Sequence, residues 1–139
     1  TTHRVFFTPA QRMAALPDAS VQLVVTSPPY PMIEMWDEGF ADQNPRIGQA
    51  LAAADGATAF ALMHEELERV WREVARVVQP GGFVCINIGD ATRTLGGHFQ
   101  LFANHARILQ FFVGIGFSVL PAVLWRKPTN APNKFMGAG

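Results

Sequence analysis

Val21-Gln22-Leu23-Val24-Val25-Thr26-Ser27-Pro28-Pro29-Tyr30 is the stretch from which this chain is best read. Its first five residues form a mostly β-branched apolar run, the composition of a strand buried on both faces of a sheet. Pro28 and Pro29 then stop the hydrogen-bond ladder, because neither has an amide donor and both fix φ. The chain must leave the strand end as a stiff, extended loop. Thr26 to Tyr30 are thereby placed just beyond the carboxyl end of a strand, where open α/β sheets bind their ligands.

Working outward, Ala59, Leu62, Met63, Glu66, Leu67, Val70, Trp71, Val74, Val77 and Val78 recur at three-and-four spacing and predict a helix from about Thr58 to Val78. Gln79-Pro80-Gly81-Gly82 ends it. Phe83 to Ile88 reads as the next strand, closed by Gly89-Asp90. A second helix comes next, with Leu101, Phe102, His105, Ile108, Leu109, Phe112 and Val113 on one side and Gly116 as its C-terminal cap. Phe117 to Trp125 reads as a third strand, and Arg126-Lys127-Pro128-Thr129-Asn130 turns into a polar tail. Arg4 to Phe7 reads as a short strand near the start. From Pro31 to about Asp55 there is no steady period; Met35, Trp36 and Phe40 lie among acidic residues, as in a mobile lid with some helical turns. Strands alternating with long helices predict a parallel α/β sheet with right-handed crossovers.

With 139 residues, 49% of them apolar, and no long unbroken apolar run, the chain reads as one soluble globular unit. Lys and Arg total 11 against 11 Asp and Glu, so it lacks the overall positive field of a self-sufficient nucleic-acid binder. Cys85 is the only cysteine, which excludes an internal disulfide and points to a reducing, cytoplasmic compartment. Thr1-Thr2-His3-Arg4-Val5 resembles neither a signal peptide nor a transit peptide, and no membrane association is expected.

Val24-Val25-Thr26-Ser27-Pro28-Pro29-Tyr30 resembles the catalytic motif of DNA methyltransferases that act on exocyclic amino groups. Val70-Trp71-Arg72-Glu73-Val74-Ala75-Arg76-Val77-Val78-Gln79-Pro80-Gly81-Gly82 and Asn87-Ile88-Gly89-Asp90 resemble the segments downstream of that motif in the cytosine-N4 and adenine-N6 enzymes. Gly116-Phe117 to Trp125-Arg126-Lys127 resembles the next strand, so the likeness covers nearly the whole chain. It implies part of a doubly wound, mainly parallel Rossmann-like methyltransferase sheet, with S-adenosylmethionine as cofactor and DNA as partner. Ser-Pro-Pro-Tyr resembles the cytosine-N4 members more than the Asp-Pro-Pro-Tyr of many adenine-N6 members. An adenine-N6 enzyme and a non-catalytic nucleic-acid-binding or scaffold subunit are the alternatives.

The chemistry explains the residue types. An exocyclic amino nitrogen is a poor nucleophile because its lone pair is delocalised into the ring. It must be drawn toward tetrahedral geometry before it attacks a methyl group. Ser27 Oγ and the Pro28 carbonyl are the expected acceptors for its hydrogens, with Pro29 stiffening the loop and Tyr30 offering a stacking face. A base reaches such a pocket only when flipped out of the duplex. The resemblance assigns Thr26, Ser27 and Asp90 to the cofactor side; an ordinary strand-terminating role for Asp90 is the other reading. Cys85, mid-strand, reads as a buried structural thiol and not as the nucleophile of a C5-methyltransferase. His64, His98 and His105 lack metal-ligand spacing, His105 reads as a core residue, and no metal is expected. Arg93, Arg107, Arg126, Lys127 and Lys134 are solvated surface charges by default, the Trp125-Arg126-Lys127 cluster being the best candidate for phosphate contact.

The family also carries a glycine-rich Phe-x-Gly-x-Gly cradle for the cofactor, and the chain has no such segment. Gly96-Gly97 and Gly114-x-Gly116 lack the strand-to-loop context. In one subgroup the catalytic motif precedes the recognition region and the cofactor motif. Residues 1–139 are therefore expected to be the catalytic part of a longer domain, completed by a missing second half or by another copy.

Overall fold

The computed structural model describes residues 1–126. Strand β1 (Val21–Thr26) leads through a short 3-10 turn (Glu34–Trp36) and helices α1 (Asp37–Gln43), α2 (Pro45–Ala52) and α3 (Gly56–Val77) into strand β2 (Val78–Ile86). A hairpin of β3 (Ala91–Leu95) and β4 (His98–Phe102) comes next, then helix α4 (Asn104–Gly114). β1 and β2 pair in parallel, with Leu23 opposite Phe83 and Thr26 opposite Ile86. This is the expected strand, crossover helix and parallel strand. The expected helix is likewise present as α3, with Leu62, Met63, Trp71 and Val74 buried on one face.

β2 begins earlier than its sequence suggests. Val78 already pairs with Val21, and a register irregularity lies between Val21 and Leu23. Gly82 permits this close crossing: a Cβ there would stand 2.9 Å from the Gln22 carbonyl oxygen. Bulky residues are excluded at that point.

The expectation that β1 is buried on both faces is corrected. Val24, Val84 and Ile86 pack against the core. Leu23, Val25 and Phe83 on the other face are exposed, at 55%, 73% and 57%. Cys85 shares that open face, so it is an exposed thiol and not a buried one. Strand alternation explains the split, since one register position in two points away from the helical layer and no described element covers it.

The segment expected to be a lid is instead largely helical and packed. Met32, Phe40 and Ile47 lie in the core against α3, while Met35 and Trp36 are exposed as expected. Local signals explain the helices: Asn44 caps α2 by accepting from Arg46 N–H at 3.2 Å with Pro45 next in the chain, and Asp55 caps α3 through Thr58 N–H at 3.0 Å.

Three further expectations fail. Arg4 to Phe7 and Phe117 to Trp125 form no strand, and Phe7 and Val123 are almost wholly exposed. β-propensity alone does not make a strand without a neighbour to pair with. Leu101 and Phe102 belong to β4 and not to a helix, because Gly96 and Gly97, at φ +55° and +80°, form the tight turn of a hairpin. Gly116, at φ +96°, stands just past the end of α4 as expected. Lys127-Pro128-Thr129-Asn130 and Lys134 lie outside the described residues.

At the other end of α3, Arg76 and Glu73 clasp the segment that leads into β1. Arg76 donates to the Leu16 and Met13 carbonyls and pairs with Asp18, and Glu73 accepts from Met13 N–H at 2.7 Å. The hydrogen bonds from Arg76, then that from Met13, hold the Glu73 carboxyl down at about 2.

Candidate active site

β1 ends as its sequence requires. The Thr26 carbonyl accepts Asn87 N–H at 2.9 Å, the last bond between the two strands, and the chain then departs. Ser27 is exposed at the sheet end, Pro28 is buried, Pro29 is exposed and Tyr30 is half-buried. Alternation of this kind anchors the loop through one proline while leaving Ser27 accessible.

Tyr30 is aimed by the turn immediately after it. Ile33 N–H donates to the Tyr30 carbonyl at 3.2 Å across Pro31 and Met32, and Met32 has φ +68°. Pro at the first corner and positive φ at the second are the pattern of a type II turn, which ordinarily takes glycine at the second corner. A side chain there costs about 1–2 kcal/mol. Burial offsets that cost: Met32 is 1% exposed, and its N–H meets Met63 Sδ at 3.3 Å. The Tyr30 ring lies against Gly89, where an added Cβ would stand 3.5 Å from Tyr30 Cε2. The Ser27-Pro28-Pro29-Tyr30 loop and the Gly89-Asp90 loop thus meet at the carboxyl ends of neighbouring parallel strands.

Asp90 has a definite task. Its carboxylate accepts from His105 N–H at 3.1 Å and faces His105 Nδ1 at 2.7 and 2.8 Å, tying the loop after β2 to the first turn of α4. His105 is therefore an exposed partner of Asp90 and not a core residue. Arg93 is bidentate to Asp37 at 2.8 and 2.6 Å, an arrangement that raises its pKa further, and Arg107 pairs with Glu68 at 2.7 Å. Both arginines are engaged within the fold instead of standing as solvated charges. Among the described residues no three His, Cys, Asp or Glu gather as a metal site requires.

Two residues of the site had no sequence signal. Asn104, wholly buried, donates from Nδ2 to the Pro31 carbonyl at 3.1 Å and the Gly89 carbonyl at 3.0 Å. Its Oδ1 lies 3.0 Å from Nε2 of buried His64. Burial, reinforced by the charge of Arg107 and opposed by the Asn104 hydrogen bond, lowers the His64 pKa to about 4. A hollow of about 190 Å³ borders the loop at Pro29 and is lined also by Phe40, Glu66 and Leu67.

The donor set bears on how much of a cofactor site is present. Gly96-Gly97 forms the hairpin turn and Gly114 to Gly116 a helix end, so neither stands at a parallel strand end where backbone amides could cradle a nucleoside. Ser27 is exposed at the strand end and Thr26 is half-buried.

A parallel β-α-β unit with a diproline loop and a turn-held tyrosine at its strand end defines part of a Rossmann-like methyltransferase. The chain belongs to the N6/N4 DNA methylase family, whose profile matches residues 21–136. It is 55% identical over its whole length to the Type II methyltransferase M.MthZI of Methanothermobacter thermautotrophicus, covering 39% of that protein. It is 48% identical to the Type II methyltransferase M.MjaI of Methanocaldococcus jannaschii, again over its whole length, covering 50% of it. A solved Thermus thermophilus protein, TTHA0409 in complex with S-adenosyl-L-methionine, superposes with a TM-score of 0.66 at 34% identity, over 91% of this chain and 47% of that one. The chain thus spans half or less of the length of these relatives. Among the described residues no helix is long and apolar enough to cross a membrane.

Proposed function

We propose that residues 1–139 are the base-holding part of a site-specific, cytoplasmic DNA methyltransferase that transfers a methyl group from S-adenosylmethionine to the exocyclic amino group of a flipped base, cytosine N4 being favoured. The observation that carries this is the accessible Ser27 beside a Tyr30 ring backed by Gly89, at the carboxyl end of a parallel strand. Ser27 Oγ and the Pro28 carbonyl accept the two amino hydrogens, which localises the nitrogen lone pair for attack. Pro28 and Pro29 keep that carbonyl preorganised, so little reorganisation is left for the reaction itself. Tyr30 stacks on the extruded ring. Thr26 and Ser27 face the cofactor, and Asp90 acts through its hold on α4. S-adenosylmethionine supplies an electrophilic methyl group, and no strong general base is required because the methylated ammonium is acidic.

The family's glycine-rich cradle is assigned to the remaining part of a longer protein. Support comes from the exposed second face of the β1–β2 sheet and from relatives of which the chain covers 39% and 50%. S-adenosylmethionine titrated into the 139-residue chain should give no tight binding, whereas the full-length protein should bind it and label unmethylated duplex DNA. Robust methyl transfer by the chain alone would overturn the division of the site. N6-methyladenine among the product nucleosides would change the base assignment only.

Tyr30→Ala in the full-length protein should weaken binding of an unpaired target base by roughly 1–3 kcal/mol, the scale of base stacking on an aromatic ring. Tyr30→Phe should bind as well as the wild type. Equal losses in the two variants, measured on a duplex carrying the mapped site, would assign the role to the hydroxyl.

A further inference from the structure

Asn104 takes no part in the proposed chemistry, yet it is wholly buried and reaches three separate parts of the site. Its orientation is set by its partners. The Pro31 and Gly89 carbonyls can only accept, so the amide NH2 faces them, and Oδ1 is left to accept the hydrogen of His64 Nε2. Both amide hydrogens are used. An Asp of the same shape would press a third acceptor against two carbonyls, and Leu would leave both unpaired in the interior.

The two carbonyls belong to segments that adjoin Tyr30. Pro31 comes directly after Tyr30 and precedes the strained Met32, while Gly89 forms the surface on which the ring lies. We propose that Asn104, oriented by His64, is a positioning residue that sets the separation between the Ser27-to-Tyr30 loop and the Gly89 loop, and so the geometry of the slot that receives the base. This rests on the base-holding role assigned above. The hydrogen bond to Pro31 holds the turn next to a left-handed Met32, which favours relaxation once that bond is lost. Sub-ångström control of reacting groups is what such a clamp provides, and a displacement of about 1 Å can cost about 100-fold in rate.

The test uses the full-length protein with unmethylated plasmid DNA, at a temperature below the melting transition of every variant. Asn104→Asp and His64→Leu should each lose about 100-fold in kcat while S-adenosylmethionine affinity stays within about twofold. His64→Gln, whose side-chain NH2 can reach the place of Nε2, should recover kcat to within about fivefold of wild type. The clamp is refuted by an Asn104→Asp enzyme within about threefold of wild-type kcat, by cofactor affinity falling in step with kcat, or by His64→Gln as impaired as His64→Leu. A second readout needs no activity: with 3-fluorotyrosine incorporated, the 19F resonance that vanishes in Tyr30→Phe should shift in Asn104→Asp and in His64→Leu but not in His64→Gln. An unmoved resonance would also refute the clamp. A wild-type protein that transfers no methyl group while the resonance shifts as expected would instead remove the base-holding reading and leave the clamp standing.

Discussion

Trp71→Ala is expected to destabilise the protein by roughly 3–5 kcal/mol, the range for removing a large aromatic side chain from a packed core. Trp71 is 1% exposed on α3, and its ring packs 5.8 Å from that of Phe112 on α4. Phe112 in turn stacks edge-on with Phe111 and Phe117, so one ring supports the whole seat of α4. Trp71→Phe should be far milder. The indole N–H is buried with no hydrogen-bond partner among the described residues. Deleting an unpaired donor recovers about 1–3 kcal/mol, which offsets much of the packing lost with the smaller ring. Urea unfolding monitored by circular dichroism distinguishes the two. Equal losses in the Ala and Phe variants would mean that the N–H is satisfied and that ring packing does not set the cost.

The second large effect is acid sensitivity centred on His64. Its pKa falls from 6.5 to about 4 in the folded state, chiefly because burial penalises the charged ring. Above pH 6.5 the ring is neutral in both states and contributes nothing to pH dependence. As pH falls below 6.5 the unfolded chain takes up a proton that the folded protein refuses, so stability drops, by about 3 kcal/mol in all, until the folded-state pKa is reached. Glu73 acts in a lower window: held at about 2 against an ordinary 4.5, its contribution is present above 4.5 and disappears as pH falls toward 2. The difference between wild type and His64→Gln in urea midpoint, taken from about pH 7 to about pH 5, isolates the histidine. His64→Gln should show a flatter pH dependence, and identical slopes would show that His64 is protonated in the fold.

Much of the scaffold was set by short-range chemistry. Two prolines after a β-branched run end a strand wherever they occur, so the position of Ser27 and Tyr30 beyond a strand end was legible. The apolar stripe of α3 and the parallel return at β2 were legible for the same reason, since a 3.6-residue period and a crossover of that length admit few arrangements. The hairpin was legible and misread: Gly96-Gly97 between two runs suited to strands is a strong turn signal, but Leu101 and Phe102 fit the helical stripe of α4 equally well. Asn44-Pro45 and Asp55 signalled helix starts in the segment expected to be a lid.

Burial and partnership were of another kind. Val25 and Cys85 have the composition of buried strand residues, and their exposure depends on which face the helices cover. His105 and His64 sit in similar apolar surroundings in the sequence, yet one reaches a carboxylate in solvent and the other an interior amide. The clamp itself joins residues 73, 40 and 15 positions apart, and two of its three partners are backbone carbonyls, which every residue possesses. Local composition could therefore place the catalytic loop at a strand end, because φ restriction and side-chain period act over a few residues. It could not show that Asn104 holds that loop, because a hydrogen bond to a main-chain oxygen leaves no mark on the identity of the residue that accepts it.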